Sequence, residues 1–463
     1  MAPTVLGIDS STQSTKALLV DASTGRVLEE RRSAHPDGTE VDPRAWLRAV
    51  DDAAGPLLSR ADAVAVGGQQ HGMVLLDDHG DVVRDALLWN DTRSAPQAAA
   101  LVDELGGPQA CAEAIGSVMV ASFTASKLRW VAEHEPDAAA RAARVLLPHE
   151  YVSLHLAAPG TVPFTDRGDA SGTGYFRTGE SAWDHDLLTQ ALGHDADLPR
   201  LPETPQQVMG ATTAGAALAV GTGDNMAAAL GLGLEPGDVS VSIGTSGVCA
   251  MVSTERPADS TGTITGFADA TGRYLPMTTT INAARILETG MRLLGVDHCE
   301  FSRLARASVP GAHGLSLLPY FDGERTPNRP TACATLHGMT TATTREDIAR
   351  AHVEGLLCSL ADGIAALESG TGRLARHVIL IGGAAKSAAV RTLAPAVFGR
   401  EVTLARPAEY VALGAARQAA WALAGTDDPP QWRLDGFETV HAEPTPEVLA
   451  SYQTLKERTA AWA

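Results

Sequence analysis

The sequence has few cysteines, and the spacing between them is not that of a zinc site. Its 463 residues include five, an odd number, scattered along the chain without a CxxC pair. They are Cys111, Cys249, Cys299, Cys333 and Cys358. This pattern predicts free thiols in a reducing compartment and argues against a disulfide framework or a structural zinc site.

Long hydrophobic segments are also absent. No apolar run approaches the roughly 20 residues that a membrane-spanning helix needs. The N-terminal residues lead directly into strand-like sequence, without the basic segment and apolar stretch of a signal peptide. Together with the cysteines, these absences predict a cytoplasmic protein without a membrane partner.

An excess of positive charge is missing too. The net charge is −19, which argues against nucleic acid or an anionic membrane as a partner. It does not exclude a phosphate-bearing ligand, because backbone N–H groups can bind phosphate locally. The glycine spacings of the Walker A and Rossmann motifs do not occur, so a nucleotide would have to bind through other turns.

The sequence does have the composition of an ordinary globular protein and an α/β pattern. Apolar residues make up 44% of the chain and charged residues 20%, and the length predicts two or three domains. The chain opens with a strand over residues 5–9, a polar turn over 10–15 and a second strand over 16–21. Helical and strand patterns then alternate, which indicates α/β layers.

The second half of the chain repeats this plan. A second strand–turn–strand hairpin covers residues 239–252. Thr344 begins a long amphipathic helix with a capping box, and we expect that helix to end at Gly370. The repeat suggests an internal duplication, with one domain over residues 1–220 and another over 221–463.

An aspartate stands behind two glycines near the middle of the chain, in the sequence GTGDN at 221–225. Alanine-rich helical sequence follows it. On local grounds this favours a helix N-cap, which is the commonest role of an aspartate in front of a helix. The alternative is a catalytic base, since a carboxylate at a ligand site can take a proton from a hydroxyl.

Two hydroxyl-rich turns follow strands and can present backbone N–H groups to phosphate oxygens. The first is the turn over residues 10–15, after Asp9, and the second covers residues 244–247. A phosphate-bearing ligand between them needs a divalent cation, and Asp9 can hold it through water. A third turn, over residues 381–384, can admit a base or a ribose. Each turn taken alone is more often a plain connection.

Several motifs stand out along nearly the whole chain. They are LGIDSSTQSTKALLVD at the start, GGQQHGMVLLD at 67–77, LLWNDTRS at 87–94, FTASKLRW at 123–130, GTGDNMAAALGLG at 221–233, VSIGTSGV at 241–248, GERTP at 323–327, LIGGAAKS at 380–387 and EYVALGAARQAA at 409–420. In these motifs the chain resembles the FGGY carbohydrate kinases of the actin/hexokinase-like superfamily, and most of all the members that phosphorylate D-xylulose. The resemblance implies an α/β fold of two duplicated RNase-H-like (actin/hexokinase-like) domains around a catalytic cleft, with the sugar on the N-terminal side and ATP on the C-terminal side.

The same resemblance implies roles for individual residues. Asp224 matches the base that takes the proton from the terminal hydroxyl of D-xylulose, and Asp9 matches the aspartate that orients Mg²⁺ and ATP. The positions that match the sugar pocket are Gln70, His71, Trp89, Asn90 and Asp91. The positions that match the phosphate and adenosine turns are Ser11, Thr12, Gln13, Gly244, Thr245, Gly382 and Gly383. The implied reaction converts D-xylulose to D-xylulose 5-phosphate, with ATP and Mg²⁺.

Some positions depart from the family pattern and leave alternatives open. Ser11 and Ser14 stand where many relatives have glycine, and Gln70 stands where some have methionine, which loosens the assignment to D-xylulose over another ketose. Glu324 and Arg325 either pair with each other or belong to a loop that faces the ligand. A kinase of another ketose or polyol, a catalytically silent sugar sensor and a phosphohydrolase are the alternatives, and the resemblance leaves a homodimer open.

Overall fold

The structure of the chain is a computed structural model that describes residues 2–433 and 435–462. Strands and helices alternate along most of the chain. The strands are β1 Thr4–Ser10, β2 Ser14–Asp21, β3 Val27–Ala34, β4 Glu40–Val41, β5 Ala63–Gly68, β6 Val74–Leu76, β7 Ala86–Leu87, β8 Arg144–Leu146, β9 Phe176–Arg177, β10 Ala182–Trp183, β11 Val208–Ala211, β12 Ala217–Ala219, β13 Thr222–Gly223, β14 Asp238–Ile243, β15 Gly247–Met251, β16 Thr265–Ala268, β17 Tyr274–Thr280, β18 Ser316–Leu318, β19 Thr335–His337, β20 His377–Ile381, β21 Val402–Leu404 and β22 Glu438–Val440. The α-helices are α1 Arg44–Ala53, α2 Gly55–Leu58, α3 Ala95–Glu104, α4 Pro108–Ile115, α5 Thr124–His134, α6 Pro136–Arg141, α7 Pro148–Leu156, α8 Arg167–Ala170, α9 His185–Leu192, α10 Asp224–Leu232, α11 Ala284–Leu294, α12 His298–Ala307, α13 Arg345–Thr371, α14 Ala388–Phe398, α15 Tyr410–Ala424 and α16 Pro446–Arg458.

The chain forms two compact units that are interleaved along the sequence. The first unit consists of Met1–Leu234, Ser253–Leu275 and Ala408–Leu434, and the second of Glu235–Val252, Pro276–Pro407 and Asp435–Ala463. Helix α10, which begins with Asp224, belongs to the first unit. The domain boundary between residues 220 and 221 stays a prediction.

The first unit is built on a mixed sheet in the order β11-β12-β5-β1-β2-β3, in which β13 also pairs with β5. Strand β1 is antiparallel to β2 and parallel to β5. Its apolar residues are buried, as expected for a strand that is covered on both faces. Because β1 and β5 run in the same direction, Asp9 lies beside Gly67 and Ser10 beside Gly68 at one edge of the sheet.

The two faces of this sheet carry separate hydrophobic clusters. On one face, Trp46 of α1 packs in a cluster with Leu6 and Ile8 of β1. On the other face, Val5 of β1 belongs to a cluster with the alanines of α15, among them Ala416. Burial of one large apolar side chain stabilises a fold by about 1.5–3 kcal/mol, so this two-sided core holds β1 and its polar end in place.

Glycines allow α10, α15 and the sheet to approach to backbone contact. A Cβ on Gly414 of α15 would lie 1.7 Å from the carbonyl oxygen of Ala227 in α10, and a Cβ on Gly7 of β1 would lie 1.9 Å from that of Ala412 in α15. No side chain fits at either position. Ala227 in turn lies close to Gly67 at the end of β5, where a Cβ would approach to 3.1 Å. The first turn of α10 is therefore fixed beside the polar edge of the sheet.

The second unit repeats this arrangement. Its sheet contains the order β17-β15-β14-β20-β21-β22. Strand β14 is antiparallel to β15 and parallel to β20, as β1 is to β2 and β5. Each unit therefore has a hairpin whose first strand pairs with a later parallel strand. The predicted α/β fold with two duplicated units is confirmed.

The long helix of the second unit, α13, begins where the sequence predicts and ends later. Thr344 and Asp347 form the capping box. The helix continues through Gly370 to Thr371, and Gly372 follows it in the left-handed conformation with a φ of 64°. The prediction of an end at Gly370 is wrong, because glycine ends a helix only where the backbone takes a positive φ.

Among the described residues, no helix is both long and apolar enough to cross a membrane.

Candidate active site

Asp224 is the first residue of α10 and is not the N-cap of that helix. The N-cap is Gly223, which has no side chain to contribute. Asp224 Oδ1 instead accepts hydrogen bonds from the backbone N–H of Asn225 at 2.8 Å and from Asn225 Nδ2 at 2.9 Å. The capping residue is the one that precedes the first helical residue, and here that residue is Gly223. The N-cap interpretation of this aspartate is therefore wrong.

The surroundings of Asp224 make it a stronger base than an ordinary carboxylate. Burial raises its pKa to about 7, and the negative charges of Asp9 and Asp169 contribute in the same direction. The side chain is half-buried, so part of it reaches the surface. A carboxyl group with a pKa near neutrality can accept a proton and release it again under physiological conditions.

Asp9 lies at the buried end of β1, in contact with a lysine and a hydroxyl. Its side chain is 1% exposed; Oδ2 accepts from Lys16 Nζ at 3.2 Å, and Oδ1 accepts from Ser11 Oγ. Lys16 also pairs with Glu409 at 2.6 Å. Burial raises the pKa of Asp9, although Lys16 and Ser11 act against that rise. The carboxylate is thus held in one orientation at the start of the first hydroxyl-rich turn.

The metal-ligating side chains around Asp9 fit a magnesium ion that binds together with phosphate. They fit a metal ion held by the protein alone less well. Among the described residues, no group of three or more His, Cys, Asp or Glu side chains could hold a metal ion. Mg²⁺ commonly keeps several waters and binds one or two carboxylates together with substrate phosphates. Asp9 supplies one carboxylate of this kind, and its contact with Mg²⁺ through water stays a prediction.

Gln70 lies against the loop that carries Asp224. Its Oε1 accepts a hydrogen bond from Asn225 Nδ2 at 2.9 Å, and a Cβ on Gly223 would lie 2.7 Å from its Cγ. The side chain is 3% exposed, and its Nε2 has no hydrogen-bond partner among the residues that the structure describes. A buried donor left without an acceptor costs about 1–3 kcal/mol, so Gln70 presents a donor that suits a ligand hydroxyl.

His71 follows in a conformation that is rare for a residue with a side chain. Its φ is 67°, and backbone strain of this kind costs about 1–3 kcal/mol unless the surroundings fix it. Its Nδ1 donates to the carbonyl oxygen of Gly172 at 2.7 Å. The ring lies 5.2 Å from that of Phe123 and 5.6 Å from that of Phe267. The hydrogen bond to Gly172 and the two aromatic neighbours therefore orient the imidazole.

The backbone of His71 is held by the first turn of α5. Its carbonyl oxygen accepts from Thr124 Oγ1 at 3.2 Å and from Lys127 Nζ at 3.3 Å. Lys127 is fully buried and also donates to the carbonyl oxygens of Ser122 and Phe123. Burial lowers the pKa of Lys127 to about 7. The sequence gives Lys127 no role, and the structure makes it a support of the loop that carries His71.

The three side chains of the WND segment, residues 89–91, differ in burial and in their contacts. Trp89 is 44% exposed, and its Nε1 donates to Thr12 Oγ1 at 2.9 Å. Asn90 is exposed. Asp91 is buried and accepts from Thr39 Oγ1 and from Arg93 Nε, each at 2.9 Å. The segment thus touches the first hydroxyl-rich turn through Trp89, whereas Asp91 is occupied by protein partners.

The remaining predicted residues of the first turn are accessible. Ser11 and Thr12 are half-buried and Gln13 is exposed. The Oγ of the preceding Ser10 is buried and has no hydrogen-bond partner in the described part of the chain. Ser11 uses its hydroxyl on Asp9. The side chain that replaces glycine at position 11 therefore helps to orient that carboxylate.

Two glycine turns lie at the same edge of the sheet in the second unit. Gly244 and Thr245 follow β14, and Gly382 and Gly383 follow β20, whose end pairs in parallel with β14. Gly382 has a φ of 93° and approaches Ile243, where a Cβ would lie 2.8 Å from the backbone nitrogen. A Cβ on Gly383 would meet no atom within 4 Å. The structure brings these four residues together and leaves Gly383 open to a ligand.

A buried ionisable cluster behind the Asp224 loop was missed in the sequence. His149 Nδ1 and Asp169 Oδ2 are 2.5 Å apart, and both side chains are 0% exposed. Asp166 caps the short helix α8 and accepts from Thr222 Oγ1 at 2.7 Å. Burial raises the pKa of Asp166 to about 6. These residues are far apart in sequence and match no motif, so only the fold reveals them.

Comparison with known proteins identifies the family. The model of the N-terminal domain of the FGGY family of carbohydrate kinases matches residues 4–233, and the model of the C-terminal domain of that family matches residues 239–423. The chain belongs to this family. The resemblance noted in the sequence motifs is therefore confirmed, and the chain is a carbohydrate kinase of the FGGY family.

Individual relatives match this FGGY kinase over nearly its whole length. It is 45% identical to the xylulose kinase of Streptomyces rubiginosus over 440 residues, which cover 92% of this chain and 89% of the relative. The crystal structure of xylulose kinase from Bifidobacterium adolescentis superposes with a TM-score of 0.92 at 46% identity, covering 98% of this chain and 99% of the other. A xylulose kinase of Escherichia coli is 32% identical and covers 89% of both chains.

Proposed function

We propose that this FGGY kinase transfers the terminal phosphoryl group of ATP to D-xylulose and releases D-xylulose 5-phosphate and ADP. The observation that carries the proposal is the carboxylate of Asp224, with its raised pKa, in one hydrogen-bonded group with Asn225 and Gln70. The sugar is chosen from the relatives, since the chain is 45% identical to a xylulose kinase over most of both sequences.

Asp224 is the general base of the proposed step. Its carboxylate takes the proton of the terminal hydroxyl, and that oxygen forms a bond to the γ-phosphorus. The bond between the γ-phosphorus and the bridging oxygen to the β-phosphate breaks, and ADP leaves with the electron pair. Phosphoryl transfer requires positioning and charge neutralisation more than covalent help, so one well-placed base is sufficient.

Asp9 and the glycine turns bind the phosphates in this proposal. Asp9 would hold, through water, the Mg²⁺ that accompanies ATP. Backbone N–H groups of Ser11–Gln13, and those of Gly244 and Thr245, would donate to phosphate oxygens. Mg²⁺ held there would neutralise charge that develops on the phosphates. Gly382 and Gly383 adjoin the adenosine, because their backbone is not shielded by side chains.

Gln70 and His71 recognise the sugar. The unpartnered Nε2 of Gln70 donates to a sugar hydroxyl, and His71 adds a second polar contact from its fixed ring. Trp89 and Asn90 border the pocket, and Asp91 contributes by holding the WND segment through Arg93.

The two exposed cysteines, Cys299 and Cys333, carry free thiols, which supports a reducing, cytoplasmic location.

The substrate assignment is tested by an assay of ADP release with a panel of sugars. The panel contains D-xylulose, D-ribulose, L-xylulose, glycerol and D-gluconate, each at saturating Mg²⁺ and ATP. We expect the highest kcat/KM with D-xylulose. A higher value with any other sugar would overturn the assignment of the substrate, but the assignment to the kinase family would stand.

The raised pKa of Asp224 predicts a pH dependence. The base acts only when ionised, so kcat/KM for D-xylulose should rise about tenfold per pH unit on the acid side and level off above the pKa of about 7. An aspartate with its ordinary pKa of about 3.9 would leave the profile flat above about pH 5. Initial rates between about pH 5 and 9, at constant ionic strength, distinguish the two.

The change His71→Ala should raise the KM for D-xylulose by about tenfold or more, since a lost polar contact in a buried site costs about 1–3 kcal/mol. The KM for ATP should change little. His79→Ala is the matched control, because His79 lies in the same unit with an 80% exposed side chain. An unaltered KM for every sugar in the panel would remove His71 from the pocket.

A further inference from the structure

The loop of Gly323–Pro327, here called the GERTP loop, is hydrogen-bonded to the end of β17 and the residues that follow that strand. Thr326 Oγ1 donates to the carbonyl oxygen of Thr279 at 2.8 Å. The backbone N–H of Ile281 donates to Glu324 Oε1 at 2.6 Å. The loop is thus fixed along one short segment of the second unit.

The turn Gly244–Gly247, which we assign to phosphate, is bonded to the same segment. The N–H of Gly247 donates to Thr280 Oγ1 at 3.2 Å, and the N–H of Ala283 donates to the carbonyl oxygen of Thr245 at 3.2 Å. The GERTP loop and the phosphate turn are therefore bonded to the same short segment, residues 279–283. They are neighbours within the second unit.

The carboxylate of Glu324 is fully occupied by the protein. Its Oε1 accepts from the N–H groups of Ile281 and Arg325, the latter at 2.8 Å, and its Oε2 accepts from Asn282 Nδ2 at 3.1 Å. The side chain is 1% exposed. Glu324 therefore shapes the loop and does not form an ion pair with the guanidinium of Arg325. The interpretation in which these two side chains pair is wrong.

Among the described residues, the guanidinium of Arg325 has no counter-charge beside it. Arg325 is half-buried, and within residues 2–433 and 435–462 its side chain forms neither an ion pair nor a hydrogen bond. The nearby carboxylate of Asp322 is paired with Arg285 at 2.7 Å. Burial lowers the pKa of Arg325. A partly desolvated cation is costly unless an anion accompanies it.

We propose that Arg325 binds phosphoryl oxygens of the nucleotide at the turn Gly244–Gly247. This rests on the proposed function in one respect, that the donor is a nucleoside triphosphate. The guanidinium group offers five N–H donors in a planar fork that matches two phosphate oxygens at once. The triphosphate supplies the negative charge that the described residues do not place beside Arg325. Glu324 fixes the loop that carries the guanidinium.

The test is nucleotide binding by Arg325→Met, measured by calorimetry without sugar. The probes are the Mg²⁺ complex of the nonhydrolysable analogue AMP-PNP, adenosine, and D-xylulose 5-phosphate. We expect the Kd of AMP-PNP to rise about ten- to hundredfold, since hydrogen bonds to charged groups are among the strongest in proteins. The Kd of adenosine should be unchanged. A comparable loss with D-xylulose 5-phosphate and none with AMP-PNP would assign Arg325 to the sugar phosphate and overturn the proposal.

Arg285→Met is the matched control, because it removes a neighbouring arginine that already has a carboxylate partner. It should bind AMP-PNP like the unmodified protein. Equal losses of AMP-PNP and adenosine in Arg325→Met, or wild-type affinity for both, would contradict the proposal. If Arg325→Met does not fold, Arg325→Lys decides: partial loss of AMP-PNP affinity supports phosphate binding, and wild-type affinity overturns it. None of these outcomes depends on which sugar is phosphorylated.

Discussion

Replacement of Asp224 by asparagine should lower kcat by about 10²- to 10⁴-fold, the usual contribution of a general base. The amide keeps the shape of the side chain and its hydrogen bond from Asn225, but it cannot take the proton of the sugar hydroxyl. Binding of D-xylulose should be largely retained. Turnover is read by ADP release, and binding by calorimetry with D-xylulose alone.

Asp297→Asn is a matched control for this substitution. Asp297 is the true N-cap of α12 and accepts from the N–H of Glu300 at 2.8 Å. Asparagine caps helices as well as aspartate does, so the control should change neither kcat nor thermal stability. If Asp224→Asn behaved like Asp297→Asn and kept a near wild-type kcat, Asp224 would not be the base.

Replacement of Asp9 by alanine should lower kcat/KM for ATP by about a hundredfold or more, because metal coordination supplies several kcal/mol of charge stabilisation. It should change the affinity for D-xylulose much less. Lys16 keeps Glu409 as a partner at 2.6 Å, which limits the structural damage. Separate calorimetric titrations with D-xylulose and with Mg²⁺ and AMP-PNP distinguish the two effects.

Asp21→Ala provides the comparison for Asp9. Asp21 lies at the other end of the same hairpin, where it pairs in register with Thr4 and accepts from Ser23 and Thr24. Its loss should leave nucleotide binding unchanged. A collapse of D-xylulose affinity in Asp9→Ala, with metal–nucleotide binding intact, would show that Asp9 serves the sugar.

The hairpins and their polar turns could be predicted from the sequence because their signals are local. Buried apolar runs such as that of β1, followed by short turns rich in hydroxyls, determine a strand–turn–strand unit without reference to the rest of the chain. The repeat of that unit at β14 and β15 predicted the duplication. The end of α13 was harder to predict, because Gly370 and Gly372 are both candidates for the helix end in the sequence. Only Gly372 takes a positive φ in the structure.

The site itself depends on contacts that the sequence does not display. Locally, Asp224 has the pattern of a helix cap, and only the position of Gly223 as the N-cap removes that interpretation. The left-handed backbone of His71 is fixed by Thr124 and Lys127, more than fifty residues later. Their distance from His71 along the sequence does not predict this contact, because the contact forms only when α5 packs against the His71 loop.

The same limit applies to the charged residues of the second unit and to the cluster behind the base. The sequence left open whether Glu324 and Arg325 pair with each other, and in the structure backbone N–H groups bind the carboxylate instead. His149 of α7 and Asp169 of α8 come together from two helices that no motif connects. Ionisable side chains in such positions are revealed by burial and partners, and both are properties of the folded chain.

Product identity is the most direct test of the central claim, that this protein transfers the γ-phosphoryl group of ATP to the terminal hydroxyl of D-xylulose. Phosphorus NMR of the unmodified enzyme with ATP, Mg²⁺ and D-xylulose should show one phosphomonoester on O5 for each ADP formed, with little inorganic phosphate. Inorganic phosphate as the main product, or ADP formation at the same rate without the sugar, would contradict the account.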